Sequence, residues 1–479
     1  MTRREPSSSP VGLYMHAAAS RQPTAEAAAT AARQQRQEYT PEQFTQPFCD
    51  FMTENPTSFH VVDYCKSRLH NAGFQELPSG ELWTGKIRPG GKYWTSRNGS
   101  AIIAFAIGRA YKPGDGVAMI AGHIDAKTVK LKPVSAKPAN ATACLQLGVA
   151  PHANGLDPTW WDRDLGLAGR VVVRDPDTGG TTARLVRLGW PIATHLSPGG
   201  RSETTTPIIG LSSAYSAGEQ RPLGSPGEFV HGQPPELVQL VAGELGVSYA
   251  QIVRWDLELY DFQPARALGL RRELITAGGL EGRLCSWAAM MGLLAAEEHD
   301  DDDVDGGGYV RMVGLLDDVE IGGNGSAFLP TAVERMVESL AGDAGQTPGL
   351  LGRTYARSFL VAGEVAYAGH PDLVDSEGCA PRLNTGVAVK HDPDGGTDAA
   401  VLTRVAELVG ARVQPYQARV GVGPVLSSVM GCRAAEAGIV QLGVHSVRAT
   451  TGALDPGLGV LFYKGFLENW HRIDGEFAS

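Results

Sequence analysis

Apolar positions along the chain follow two rhythms. From Pro41 onward Phe44, Phe48 and Phe51 recur at roughly helical spacing, and Phe59, Val62, Tyr64 and Leu69 repeat the pattern, predicting two amphipathic helices. Short, continuous apolar runs at 101–107 and 117–121 predict buried strands, the second running straight into Gly122-His123-Ile124-Asp125. Beyond residue 265 helix and strand alternate, with a helix expected at 284–298, a strand at 309–315, a helix at 331–340 and a strand at 358–362. Alternation of this kind builds a mostly parallel sheet covered by helices, an α/β fold.

Between these halves the rhythm changes. Residues 136–264 offer short strand patterns, such as 169–174 and 182–188, separated by Gly, Pro and Thr stretches and without a long helical period. The expected organisation is a tail at 1–38, a catalytic-type α/β domain at 39–135 and 265–479, and an inserted β-rich domain at 136–264. The Gly/Pro/Ser tract at 197–235 reads as surface loops. The Ala/Gln/Arg run at 25–36 lacks an apolar face and reads as part of a disordered tail. The acidic run at 300–303 reads as a solvated turn.

Composition narrows the functional classes. A hydrophobic content of 43% over 479 residues supports a large core, and a formal charge of −10 with no basic cluster argues against nucleic-acid binding. No apolar run reaches the roughly 18–20 residues of a membrane span. The six cysteines are scattered without a Cys-x-x-Cys spacing and read as reduced thiols, and no secretory signal is recognisable, so synthesis in the cytosol is expected.

Candidate chemistry sits at the expected strand ends. His123, Glu281, Glu320, Glu364 and His445 supply the nitrogen and oxygen donors that suit zinc, with manganese or cobalt as replacements, and a bridging carboxylate holds two ions close together. Asp125, two residues beyond His123, can accept the second ring N–H and fix the tautomer. Arg448 either neutralises nearby carboxylates or lies on the surface.

Several segments in the same order resemble the aspartyl aminopeptidase and vacuolar aminopeptidase I family. They are Ala121-Gly122-His123-Ile124-Asp125, Thr159-Trp160-Trp161-Asp162-Arg163-Asp164-Leu165 with Leu167-Ala168-Gly169-Arg170-Val171, Leu280-Glu281-Gly282-Arg283-Leu284-Cys285-Ser286-Trp287, and Leu315-Leu316-Asp317-Asp318-Val319-Glu320-Ile321-Gly322. Near the C-terminus Val444-His445-Ser446-Val447-Arg448, Thr450-Thr451-Gly452 and Tyr463-Lys464-Gly465-Phe466 complete the likeness, which runs from about Gln43 to Trp470.

The resemblance implies an α/β zinc-peptidase domain interrupted by an inserted β-rich domain that mediates a large homo-oligomer. It also implies two zinc ions, a peptide substrate losing N-terminal residues, acidic ones among them, and delivery from the cytosol to the vacuole. His123 and Glu364 would hold one ion, Glu320 and His445 the other, and Glu281 would bridge them. The chain departs from the family at named places. Glu281-Gly282 stands for an Asp-Asp/Asn pair, Glu364 for Asp, Tyr367 for His, and Val319 for the general-base Glu. The segment after Gly322 is short, and Val420-Gly421-Val422-Gly423-Pro424 lacks the family's polar loop. An isopropyl group cannot accept a proton from water. A second function class therefore stays open: a catalytically silent assembly subunit, scaffold or autophagic cargo. A zinc carboxypeptidase or deacylase of the same superfamily is the third alternative.

Overall fold

In the computed structural model the described residues are 39–138, 142–153, 158–196, 206–298, 307–320, 327–342, 347–372, 380–391, 398–417, 422–443 and 445–477. The chain divides into two units, 1–39 and 40–479, and of the first only Tyr39 is among the described residues. The runs at 25–36 and 300–303 and the segment after Gly322 lie outside them.

A nine-stranded mixed sheet forms the centre of the larger unit. Its middle strands, Val310–Leu316, Val117–His123, Phe359–Ala362 and Arg433–Gly438, lie side by side and parallel. Both faces are buried, so alternate residues of one strand serve different cores. Ala118 and Ile120 pack with the helices Thr45–Glu54, Ser58–Asn71, Arg283–Glu297 and Asp455–Phe477, while Met119 and Ala121 pack with Phe328–Ala341. This two-sided burial explains why these strands read as unbroken apolar runs.

Residues 128–261 build a second, seven-stranded sheet, whose long antiparallel pair is Arg163–Arg174 against Ile252–Asp261. It has a core of its own, including Leu165, Val171, Leu257 and Leu259. One expectation for this region is corrected, because a helix spans Pro235–Leu245 and buries Leu237, Val238, Val241 and Leu245 on that core. Pro235 supplies the fixed φ of a helix start, and Gly246, at φ 63°, supplies the left-handed stop. The tract at 197–235 is also less irregular than expected in its described part, where Ile208–Leu211 pairs with Cys144–His152.

A five-stranded sheet contains the antiparallel pair Leu274–Gly278 and Arg448–Gly452. The described part of the segment 420–424, where the family's polar loop is lacking, begins the helix Val422–Met430. Among the described residues no helix is long and apolar enough to cross a membrane.

Candidate active site

Three of the expected residues share one edge of the central sheet. His123 ends the middle strand, Glu320 lies in the turn after the neighbouring strand Val310–Leu316, and Glu364 follows Phe359–Ala362 on the other side. The chain is held in this register past the strand ends, because Ile124 N–H donates to Leu316 O at 2.8 Å and Gly363 N–H to Ala121 O at 2.7 Å. The carboxyl end of a parallel sheet is where such folds gather ligand-binding groups.

Glu281 and His445 arrive from a different direction. Gly278 pairs with Arg448 across the smaller sheet, and Gly279 N–H donates to Val447 O at 3.1 Å, so the two chains leave the sheet side by side. A few residues further, Glu281 Oε2 accepts from His445 N–H at 3.2 Å and lies 3.3 Å from His445 Nδ1. His445 takes φ 64°, an uncommon left-handed conformation for a non-glycine residue, and is half-exposed. Val444 lies outside the described residues.

His123 is buried, and its Nδ1 lies 3.1 Å from Asp125 Oδ1. Asp125 Oδ2 accepts from Glu320 N–H at 2.8 Å, so this carboxylate ties the histidine to the turn that carries Glu320. Burial works to lower the His123 pKa, but the Asp125 bond and charge, with the charges of Glu320 and Glu364, outweigh it and lift it to about 9. Burial, with Glu281 and Asp125, raises the Glu320 pKa against the opposing pull of His123 and Lys127. The cluster thus carries an excess of negative charge that attracts cations.

Tyr367 belongs to this cluster. Although the side chain is 44% exposed, its partial burial, followed by Glu281, Tyr416, Glu364 and Glu320, pushes its hydroxyl up to about 12, so it stays protonated at neutral pH. Nothing in its sequence position apart from its place three residues after Glu364 points to that role.

The strand-end acids divide their work. Asp317 bonds Arg97 at 2.8 Å and also Ser100, and Asp318 lies 3.6 Å from Arg97, so both are engaged by the adjacent strand region. Val319 is half-buried and packs on the apolar cluster that contains Leu316 and Leu329. Arg448 neutralises a nearby carboxylate and does not lie on the surface: it donates to the buried Asp261 at 2.8 Å and to the carbonyls of Gln263, Pro264 and Thr276, and its partner is not one of the candidate ligands.

In kind and charge, these donors fit zinc: an imidazole already oriented by a carboxylate, a second imidazole, and glutamates within one another's fields. The contacts close in pairs, however, and among the described residues no three His, Cys, Asp or Glu side chains converge as a metal site.

Residues 51–467 match the family model described as aminopeptidase I zinc metalloprotease (M18). The chain is 32% identical to vacuolar aminopeptidase 1 of Saccharomyces cerevisiae, over 92% of this chain and 91% of that one. A solved structure of Chaetomium thermophilum mApe1 superposes with a TM-score of 0.84 at 49% identity, covering 91% of this chain and 99% of that one. The S. cerevisiae mApe1 dodecamer matches with a TM-score of 0.81 at 32% identity, covering 91% and 99%. The fold and these matches lead to one conclusion: the chain belongs to the aminopeptidase I zinc metalloprotease (M18) family.

Proposed function

We propose that the protein is a zinc-binding M18 aminopeptidase that releases N-terminal, including acidic, residues from peptides, with turnover limited at the proton-transfer step. His123 and Glu364 would hold one ion, Glu320 and His445 the other, with Glu281 between them. When bound, zinc would polarise the scissile carbonyl and acidify the attacking water. The rest falls to the chain itself. Asp125 keeps the His123 proton on Nδ1, so that Nε2 is the nitrogen left to ligate, and Tyr367, within the field of Glu281, Glu364 and Glu320, would offer a hydroxyl donor.

The observation that carries this reading is Val319. It stands where the family's base would be, and its side chain packs on apolar neighbours instead of offering an oxygen. Asp317 and Asp318, next to it, already face Arg97. Zinc titration of the full chain tests the binding half of the proposal: His445→Ala and Glu320→Ala should each weaken binding, whereas a wild-type protein without zinc affinity overturns it.

A second reading, a silent assembly subunit, is favoured by Val319 itself, because a valine in place of a glutamate removes a proton acceptor and leaves binding surfaces elsewhere untouched. Both readings use the inserted domain proposed at 136–264, between catalytic-type segments at 39–135 and 265–479, as the surface for a large homo-oligomer. Within it Leu211 is exposed on the sheet and Trp190 lies exposed beside it, as expected of residues that a partner copy covers. We further propose synthesis in the cytosol and delivery to the vacuole, as the name of the yeast relative suggests. A fluorescent fusion that stays diffuse in the cytosol when autophagy is induced would remove that part.

A further inference from the structure

The residue after Glu281 is a glycine, and the structure gives it a specific task. Gly282 takes φ 71° and ψ −52° immediately before the helix Arg283–Glu297. A Cβ built on it would lie 2.5 Å from both Nδ1 and Nε2 of His123, and nearer still to the carbon between them. Non-bonded carbons rest at about 3.5–4.0 Å. The imidazole therefore occupies the space that any side chain at 282 would need.

His123 has little room to give way. Its ring is buried and held at Nδ1 by Asp125, which is itself held by Glu320 N–H. Its carbonyl accepts from Ser286 Oγ–H at 2.7 Å, on the same first helical turn, where Ser286 N–H bonds Gly282 O at 3.0 Å. A second glycine makes this approach possible, since a Cβ at Gly122 would lie 2.5 Å from Ser286 Oγ. The helix start and the strand end thus meet through two bare α-carbons, one on each side.

We propose that Gly282 is a positioning residue: its bare α-carbon leaves the space in which the His123 imidazole keeps its Nδ1 bond to Asp125. The consequence is specific to this chain. The Asp or Asn that the family resemblance implies at this place cannot be restored without driving His123 out of its bond to Asp125. Glu281-Gly282 and the observed His123 placement are one arrangement, so a carboxylate at 282 is incompatible with it. The metal-binding part of this inference rests on the proposed zinc site, but the steric part does not.

A thermal-unfolding cycle on the full chain separates the two. Gly282→Ala should lower Tm, and the same substitution in a His123→Ala background should lower it by less than half as much, because the ring that the methyl group strikes is gone. An equal loss in both backgrounds would mean that only the positive φ is being strained, and would overturn the proposal. If Gly282→Ala does not fold, the double variant decides: a folded double variant supports the collision, and an unfolded one refutes it. In the folded single variant, zinc affinity measured by chelator competition should fall by about 10- to 100-fold, the usual loss when a group orienting a ligand is disturbed. Unchanged affinity in a variant that has lost Tm would reduce Gly282 to a structural residue. A wild-type protein that binds no zinc would defeat the proposed function while leaving the Tm cycle to decide the steric claim.

Discussion

Val319→Glu should raise the rate of peptide hydrolysis. Burying a valine fully stabilises a fold by about 1.5–3 kcal/mol, and a half-buried one by about half of that. Val319 is half-buried on the cluster containing Leu316 and Leu329, so replacing it forfeits on the order of 1 kcal/mol, with a further cost from the neighbouring charge of Glu320. Domain stabilities of about 5–15 kcal/mol absorb that loss, and the variant should remain folded with a lowered Tm. The chemical gain is larger. A positioned general base contributes about 10²- to 10⁴-fold, or about 2.7–5.4 kcal/mol of barrier. Steady-state cleavage of peptides with N-terminal Asp or Glu, with zinc present, gives the comparison, and Val319→Gln controls for size without basicity. The reasoning fails if the Glu variant is no faster than the Gln variant while both bind zinc as the wild type does.

Glu258 gives a pH-dependent prediction away from the candidate ligands. Burial raises its pKa to about 7 against the opposing charges of Lys130 and Arg283. A folded pKa above the unfolded one means that the native state holds the proton more tightly, so stability falls as pH rises from the ordinary carboxylate range through about 7. Glu258→Gln carries no such loss, and its Tm relative to the wild type should be several degrees higher at about pH 8 than at about pH 4.5; an equal difference at both would refute the shift. Light scattering at micromolar concentration should find a large closed homo-oligomer, and a clean monomer would remove the assembly proposal.

Much of this architecture was legible because it is local. Apolar runs marked the central strands, and His123-Ile124-Asp125 put an acceptor two residues beyond a histidine, the spacing at which Asp125 Oδ1 meets Nδ1. The helix Pro235–Leu245 was missed although Pro235 and Gly246 frame it, because the Gly/Pro/Ser tract before it masked the start of the period. Nonlocal relations left no trace. The collision reserved for Gly282 depends on where a distant strand ends, and the Glu281–His445 contact depends on the pairing of Leu274–Gly278 with Arg448–Gly452. The left-handed backbone of His445 is likewise not readable from the sequence, since histidine tolerates that conformation better than most residues but adopts it only occasionally. Tyr367 reads in the sequence as a simple departure from the family pattern, and only the folded chain brings its hydroxyl under the charges of Glu281, Glu364 and Glu320.

The central claim is a family scaffold that binds zinc but activates water poorly, and the turnover number of the zinc-loaded wild-type protein on N-terminal aspartyl and glutamyl peptides tests it most directly. Ordinary enzymes run at about 1–10³ s⁻¹. The account predicts a rate well below that range, despite bound zinc. A rate inside it, abolished by Glu320→Ala and by His445→Ala, would show that this site supplies its base from some group other than residue 319 and would contradict the account.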